Sequence, residues 1–228
     1  MDIQNLLNFL RPDFEFLISI PMRLDESEEK ISSFTEEQYS ILDGVGLNER
    51  VVFHGAAGTG KTVLAIESAK RSLCKPQRTL VLCFNKLLAS WINHYLEGFL
   101  YEDIGRADAI CDFMESVIDD PEKLKEKARA MHQDEAGGDN YLETYYSKVL
   151  PEAALEKIRQ GYVQKYDKII IDEGQDIIRG EYLDVIDAFL EGGMTKGKWE
   201  FYCDFEKQNI FLEDISNTKM EIIPKWFI

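Results

Sequence analysis

The segment at residues 55–62 follows the spacing G-x-x-x-x-G-K-[ST] and is rich in small side chains. Small residues let backbone N–H groups close on phosphate oxygens, and the N-terminus of a following helix adds a favourable dipole. In such a loop Lys61 would reach the β- and γ-phosphates, and the Thr62 hydroxyl would ligate Mg²⁺. The alternative is a glycine-rich turn that opens a helix by accident. The predicted nucleoside triphosphate site consists of Gly55, Ala56, Ala57, Gly58, Thr59, Gly60, Lys61 and Thr62.

An acidic pair, Asp172 and Glu173, follows the apolar run at residues 168–171. An aspartate at a strand tip holds Mg²⁺ directly or through water, and a glutamate beside it can orient and deprotonate the attacking water. An acidic turn between a strand and a helix would explain the pair if it stood alone. Together with Lys61, the pair predicts the second half of a site that hydrolyses a nucleoside triphosphate.

Four other residues are candidates for contacts with the nucleotide. Phe34 could stack on adenine and Gln38 could pair with it through amide hydrogen bonds, because both stand just before the strand that leads into the loop. A helix capping box, with Thr35 as the N-cap, explains the same residues without a ligand. Asp204 and Gln208 follow a later apolar run and could sense the γ-phosphate.

The apolar run at residues 79–84 leads into Phe84, Asn85 and Lys86. Ligands bind at the carboxyl edge of open α/β sheets, so these residues are candidates for contacts with nucleic acid. Lys86 and Asn85 could hold a phosphodiester, and Phe84 could stack on a base. A core role for Phe84 and a solvated surface position for Lys86 explain the pattern equally well.

These motifs require strands to hold them and helices to connect the strands. Apolar runs predict strands at residues 51–53, 79–84, 168–171 and 199–203, and the continuous run at 79–84 predicts a buried parallel strand. Apolar residues at helical spacing predict helices at residues 63–70, 85–92 and 182–190. The alternation of strands and helices predicts an α/β fold with a mainly parallel sheet.

The chain divides into a leader and a core. Residues 1–33 are predicted to form an N-terminal leader and linker, and residues 34–228 a nucleotide-binding domain. Residues 99–166 are predicted to form a mostly helical insertion between two sheet strands, in which Pro121 heads a charged helix with i,i+4 pairing. The apolar end of the chain at residues 222–228 suggests that a further segment is missing.

The formal net charge is −16 over 228 residues. Such an acidic chain is a poor nonspecific partner for phosphate backbones, because affinity there comes from Lys and Arg that displace counterions. Any contact with nucleic acid must therefore use a local patch. The four cysteines and three histidines show no ligand spacing, which favours buried free thiols and a reducing, cytoplasmic compartment. No apolar stretch approaches the roughly 20 residues needed to cross a bilayer, so we expect no membrane partner.

Taken in order, the motifs resemble the Q motif and motifs I, Ia, II and III of superfamily 1 helicases of the UvrD/Rep type. The residues that carry this resemblance are Phe34-Thr35-x-x-Gln38, the loop at 55–62, Leu82-Cys83-Phe84-Asn85-Lys86, Asp172-Glu173-Gly174-Gln175-Asp176, and Asp204 with Gln208. The Cys83-Phe84-Asn85-Lys86 form and the leader at residues 1–33 are most similar to the branch associated with nuclease-related domains. The resemblance covers residues 34–212. It implies a three-layer RecA-like first motor domain (1A) with a 1B-like insertion at about 99–166.

The resemblance also implies roles for single residues. Gln38 would read adenine, and Gln175 and Gln208 would relay the nucleotide state. Residues 84–86 would approach single-stranded DNA. ATP and Mg²⁺ would be the cofactors of the domain.

The chain departs from the family pattern at three places. Cys203 replaces the usual glycine before Asp204, and the interval from Asp204 to Gln208 is one residue longer than in the best-known members. Residues 107–113 replace a Thr-Phe-His-like motif Ib. The last departure and the net charge favour an alternative function, a nucleotide-gated module that binds a protein partner and never grips DNA. Asn85, Lys86 and residues 172–176 favour the motor.

Such motors close ATP between two RecA-like domains, and the second domain supplies an arginine finger. An arginine supplied from outside can raise turnover by about 10³–10⁵ in other NTPases. The residues after 211 are too few for a second domain. We therefore expect this chain to bind ATP or ADP, to hydrolyse ATP slowly, and to need a second domain in cis or a partner in trans for unwinding.

Overall fold

The computed structural model describes residues 36–75, 77–99, 105–131, 141–161 and 163–204. The chain separates into two compact units, Met1–Gly44 and Val45–Ile228. The predicted leader at residues 1–33 lies outside the described residues, as do Phe34 and Gln208.

The described strands form one sheet in which every neighbouring pair is parallel. They are β1 (Arg50–His54), β2 (Thr79–Cys83), β3 (Gly105–Ala109), β4 (Lys168–Ile171) and β5 (Lys198–Cys203). Their order across the sheet is β1-β5-β4-β2-β3. The prediction of an α/β fold with a mainly parallel sheet is confirmed, because runs such as the fully buried β2 have the continuous apolar character of strands covered on both faces.

The described helices lie before and between these strands. They are α1 (Glu36–Val45), α2 (Lys61–Leu73), α3 (Lys86–Leu96), α4 (Ile110–Ser116), α5 (Pro121–Met131), α6 (Tyr141–Thr144), a π-helical turn (Tyr145–Val149), α7 (Leu150–Arg159), α8 (Gly174–Ile177), α9 (Gly180–Phe189) and α10 (Gly193–Lys196). The charged helix α5 begins at Pro121 as predicted, because the missing N–H and fixed φ of proline suit a first helical position. Among the helices that the structure describes, none has both the length and the hydropathy to cross a membrane.

Strand β3 differs from the sequence-based expectation. Residues 99–166 are predicted to be a mostly helical insertion, whereas the structure places Gly105–Ala109 in the sheet beside β2. Thr79 pairs with Gly105, and Cys83 pairs with Ala109. The segment Gly-Arg-Ala-Asp-Ala has no β-branched or aromatic residue, so local propensity does not reveal the strand. Pairing with a strongly apolar neighbour decides its conformation.

Helices cover both faces of the sheet, which gives three layers. On one face α2 and α3 pack against each other and against the strands. The larger apolar cluster lies on the other face, where α4, α7 and α9 meet alternate residues of β2, β4 and β5. Its members include Leu80, Leu82, Phe113, Leu150, Ile169, Ile171, Phe189 and Phe201.

A buried polar network joins α2 to the centre of the sheet. Lys168 Nζ donates hydrogen bonds to Ser68 Oγ at 2.9 Å and to Glu200 Oε1 at 2.7 Å. The Tyr202 hydroxyl donates to Glu200 Oε2 at 2.9 Å, and burial together with the Glu200 charge raises the Tyr202 pKa well above its ordinary value. Because each charged group here has a partner, the network fixes how β4 and β5 lie beneath α2.

Candidate functional site

Three of the predicted motifs meet at the carboxyl edge of the sheet. Strands β1, β5 and β4 are neighbours, and they lead into the glycine-rich loop, Asp204 and Asp172 respectively. Gly55 N donates a hydrogen bond to Cys203 O at 3.2 Å, which extends the β1–β5 ladder into the loop. Parallel strands end at the same edge, and this explains why motifs far apart in the sequence come together.

The backbone of the loop requires small residues. Gly58 and Gly60 have φ of 81° and 86°, in the left-handed region that favours glycine. A Cβ added to Gly55 would lie 2.9 Å from Thr59 Oγ1. That hydroxyl donates to Ala56 O at 2.8 Å and so holds the loop in a tight curve.

Lys61 opens helix α2 and folds back over the loop. Its Nζ donates to Gly55 O at 2.8 Å and to Ala56 O at 3.0 Å, and the residue is only 8% exposed. Gly60 is the N-cap of α2 and has no side chain to occupy the first N–H groups of the helix. The loop thus places an ammonium group next to the start of α2, where no side chain caps the first N–H groups, and both kinds of donor suit phosphate oxygens.

Asp172 is the most unusual polar residue among those described. It is 0% exposed, and neither carboxylate oxygen has a hydrogen-bond partner at normal bonding geometry, although the Thr62 hydroxyl and the Glu173 backbone N–H lie near it. Its backbone N–H donates to Leu82 O at 2.8 Å, so its position is fixed by the sheet. Burial raises the Asp172 pKa to about 6, whereas the nearby Thr62 hydroxyl and the Lys61 charge act to lower it. A buried carboxyl without a partner is costly, and a bound cation would remove that cost.

Thr62 and Asp172 fit a magnesium ion. Both offer oxygen atoms, and the Thr62 hydroxyl is close enough to affect the Asp172 carboxyl. Within the described part of the chain, no group of three or more His, Cys, Asp or Glu residues could hold a metal by itself. Mg²⁺ characteristically uses one or two protein ligands and completes its shell with water and phosphate oxygens, so a protein cage is not required.

Glu173 and Gln175 form a second polar unit beside Asp172. Glu173 has φ 51° and ψ 45°, and no other non-glycine residue in the described ranges has a positive φ. Such a conformation costs roughly 1–2 kcal/mol. Gln175 Nε2 donates to Glu173 Oε2, and Gln175 Oε1 accepts from Asp204 N at 3.0 Å. The buried Gln175 amide thus links the Glu173 carboxylate to the end of β5.

Gly174, between Glu173 and Gln175, lies very close to strand β5. A Cβ there would lie 2.7 Å from Cys203 Sγ and 2.9 Å from Phe201 Cδ1. Cys203 is buried, and burial together with the charges of Asp172 and Glu173 raises its pKa to about 12. The thiol therefore stays neutral and serves packing. The space for the Cys203 sulfur is left by Gly174, which has no Cβ.

The structure places Phe84, Asn85 and Lys86 at the tip of β2, as predicted, and two of the three are engaged locally. Asn85 Oδ1 accepts from Leu87 N at 2.8 Å and caps helix α3. Lys86 Nζ lies 2.5 Å from Asp112 Oδ1, and this contact raises the Lys86 pKa. Phe84 remains 42% exposed. The contacts of these residues with nucleic acid stay a prediction.

The structure does not test the predicted nucleotide contacts of Gln38, Asp204 and Gln208. Gln38 lies in helix α1 of the first unit. Asp204 is buried, and its backbone N–H is held by Gln175. The adenine contact of Gln38 and the γ-phosphate roles of Asp204 and Gln208 stay predictions. The four cysteines are free; Cys83 and Cys203 are buried as expected, whereas Cys111 is partly buried and Cys74 is exposed.

Comparison with known proteins assigns the chain to a family. The family model described as "Type III restriction enzyme, res subunit" matches residues 22–191, well over half of the 228 residues. No curated protein matches the chain. The match includes the glycine-rich loop and the Asp172–Gln175 segment, and it supports a RecA-like domain of the helicase superfamily. Placement in the UvrD/Rep-type branch stays a prediction. The chain belongs to the family of Type III restriction enzyme res subunits.

Proposed function

We propose that this chain is the ATP-binding motor domain of a DNA-dependent ATPase or helicase. The observation that carries the proposal is Asp172, a wholly buried carboxylate without a hydrogen-bond partner among the described residues. A structural aspartate would be hydrogen-bonded or paired, whereas an aspartate that serves as a metal ligand keeps its oxygens available. The neighbouring Thr62 and the phosphate-binding geometry of the loop support the same conclusion.

Lys61, Thr62 and Asp172 each have a definite task in this proposal. Lys61 binds the β- and γ-phosphates, because phosphate oxygens are stronger acceptors for an ammonium group than the two loop carbonyls that it contacts here. Thr62 and Asp172 hold Mg²⁺, which neutralises charge on the phosphates when it is bound. The N–H groups at the start of α2 bind the remaining phosphate oxygens.

Glu173 is the proposed general base. Gln175 donates to Glu173 Oε2, so Oε1 is the atom that would accept the proton of the attacking water. Gln175 is a positioning residue, because its second hydrogen bond ties this carboxylate to Asp204 N. A displacement at the end of β5 would therefore move the base.

We propose that fast hydrolysis also requires a second RecA-like domain, in cis or from a partner. Negative charge spreads over the γ-phosphate in the transition state, and an arginine supplied from across the cleft stabilises it. Gln38 would select adenine, and Gln208 would report the state of the γ-phosphate.

Three variants of the full chain test the site. Lys61→Ala should abolish ATP binding measured by calorimetry, whereas Glu173→Gln should bind ATP as the wild type does and lose turnover about 10²–10⁴-fold. Asp172→Asn should remove the gain in ATP affinity that Mg²⁺ confers on the wild type. Equal turnover for wild type and Glu173→Gln would remove Glu173 from the role of base. An undiminished Mg²⁺ effect in Asp172→Asn would remove Asp172 from the metal site.

A nucleotide-gated protein-interaction module is the second candidate. The net charge of −16 favours it, as do the local contacts that engage Asn85 and Lys86. The two functions differ in their response to single-stranded DNA. The motor should show salt-dependent DNA binding and DNA-stimulated ATP turnover in the full-length protein. Turnover that DNA leaves unchanged would favour the module.

A further inference from the structure

An arginine that the sequence motifs do not include lies beside Phe84. Arg179 is exposed and lies in the connection between α8 and α9, four residues after Gln175 in the sequence. Its guanidinium carbon is 5.9 Å from the centre of the Phe84 ring and 5.7 Å from the centre of the Tyr182 ring. Both distances are within the range of cation–π contacts. Arg179 and Phe84 thus form one exposed feature at the carboxyl edge of the sheet.

Arg179 differs from Lys86 in its electrostatic surroundings. The Lys86 ammonium is 2.5 Å from an Asp112 oxygen, so a phosphate would have to compete with that carboxylate. Arg179 has no ion pair among the residues that the structure describes. A guanidinium that only contacts rings keeps its N–H donors available at the ring edges. In a protein with a charge of −16, Arg179 is therefore a better candidate than Lys86 for a phosphate contact.

The surroundings hold Arg179 in place. Its backbone N–H donates to Ile177 O at 2.7 Å, and its carbonyl accepts from Leu183 N at 2.9 Å. Tyr182 is buried, and burial raises its pKa, so its ring is neutral. The backbone of Arg179 is thus fixed and its guanidinium lies against two rings, so its side chain loses less entropy on binding an oxyanion than that of an arginine without such contacts.

We propose that Arg179 and Phe84 together bind single-stranded nucleic acid. Phe84 stacks on an unpaired base, and Arg179 binds the adjacent phosphodiester through charge-assisted hydrogen bonds. The ligand is a single strand because the base faces of a duplex are covered by their neighbours. This inference rests on the proposed nucleic-acid function and adds a residue outside the sequence motifs to it.

The test measures the affinity of the full chain for a fluorescent oligodeoxythymidine by anisotropy over a range of NaCl concentrations. Arg179→Gln should weaken binding roughly tenfold. The slope of log affinity against log salt should become shallower by about 0.7, the value for one phosphate contact on a single strand. Arg179→Lys should keep the slope because it keeps the charge. Lys86→Gln should change the slope less than Arg179→Gln does.

Arg159→Gln is the matched control. Arg159 is an exposed arginine at the end of α7, and its replacement changes the net charge by the same amount. Binding by Arg159→Gln should equal that of the wild type. If it weakens as much as Arg179→Gln, the effect is general electrostatics and the proposal is wrong. Thermal unfolding of each variant, with Arg179→Lys as the conservative substitution, separates loss of contact from loss of fold.

The outcomes distinguish this inference from the proposed function. A wild type that binds no oligodeoxythymidine, and whose ATP turnover does not respond to it, overturns the DNA-dependent function and the inference with it. A wild type that binds, together with an Arg179→Gln variant of equal affinity and slope, overturns the inference alone. An equal loss of affinity for a duplex of the same length overturns the assignment to single strands.

Discussion

Gly174 lies where the chain between Glu173 and Gln175 passes closest to strand β5. A Cβ at this position would be 2.7 Å from Cys203 Sγ and 2.9 Å from Phe201 Cδ1. Ordinary carbon–carbon contacts are about 3.5–4.0 Å, so both neighbours would have to move by most of an ångström. Both neighbours are buried and held in the sheet. Overpacking of this kind costs about 1–3 kcal/mol, and we expect Gly174→Ala to lose that much stability.

The strain should also reach the catalytic groups. Gly174 is the residue between the proposed base and the glutamine that orients it, and Gln175 carries the hydrogen bond to Asp204 N. A displacement of α8 away from β5 would lengthen that hydrogen bond and shift the Glu173 carboxylate. We expect ATP turnover to fall by more than tenfold while ATP binding, which depends on the loop at residues 55–62, is retained.

A double-mutant cycle provides the assay. The free energy of unfolding is measured by urea denaturation for the wild type, Gly174→Ala, Cys203→Ala and the double variant. Removing the sulfur relieves the shorter contact, so the double variant should be more stable than the sum of the single changes predicts, by about 1 kcal/mol. The Phe201 contact remains, and relief should be partial. Additive effects, or a Gly174→Ala variant within about 0.5 kcal/mol of the wild type, would refute the packing argument.

Two further predictions concern the N-cap of α3 and the buried polar network beneath α2. Asn85→Ala removes the N-cap of α3 and should cost about 1 kcal/mol, seen as a Tm lower by roughly 2–4 °C. An unchanged Tm would show that the cap contributes nothing. Glu200→Ala leaves the Lys168 ammonium and the Tyr202 hydroxyl without their carboxylate, and should cost about 2–4 kcal/mol in urea denaturation. Glu200→Gln keeps an acceptor for Tyr202 and should cost less; equal losses for the two variants would contradict this account.

Much of the architecture could be predicted from local sequence. Strands β1, β2, β4 and β5 are apolar runs; in β2, β4 and β5 such a run indicates a strand covered on both faces, whereas β1 at the edge of the sheet is only partly covered. Strand β3 could not be predicted in this way, because Gly105–Ala109 lacks strand-forming residues and becomes a strand through its pairing with β2. The first four strands follow from the propensities of neighbouring residues, whereas β3 depends on pairing with a strand that is distant in the sequence.

The candidate site divides along the same line. The loop at residues 55–62 and the pair Asp172–Glu173 are recognisable in the sequence, because binding phosphate and Mg²⁺ demands particular residue types at fixed short spacings. The sequence does not decide whether Asn85 caps helix α3 or contacts a ligand, and it does not show that Lys86 pairs with Asp112. Either residue could equally have faced a ligand.

The sequence by itself determined the class of the protein and the chemistry of its loop. Only the tertiary structure decided that the Asp172 carboxyl is buried without a partner, that Gly174 makes room for Cys203, and that Arg179 lies over Phe84. These facts depend on contacts between segments far apart in the chain. Such contacts depend on the order of the strands in the sheet and on how the helices pack against it. The spacing of residues along the sequence does not reveal that order.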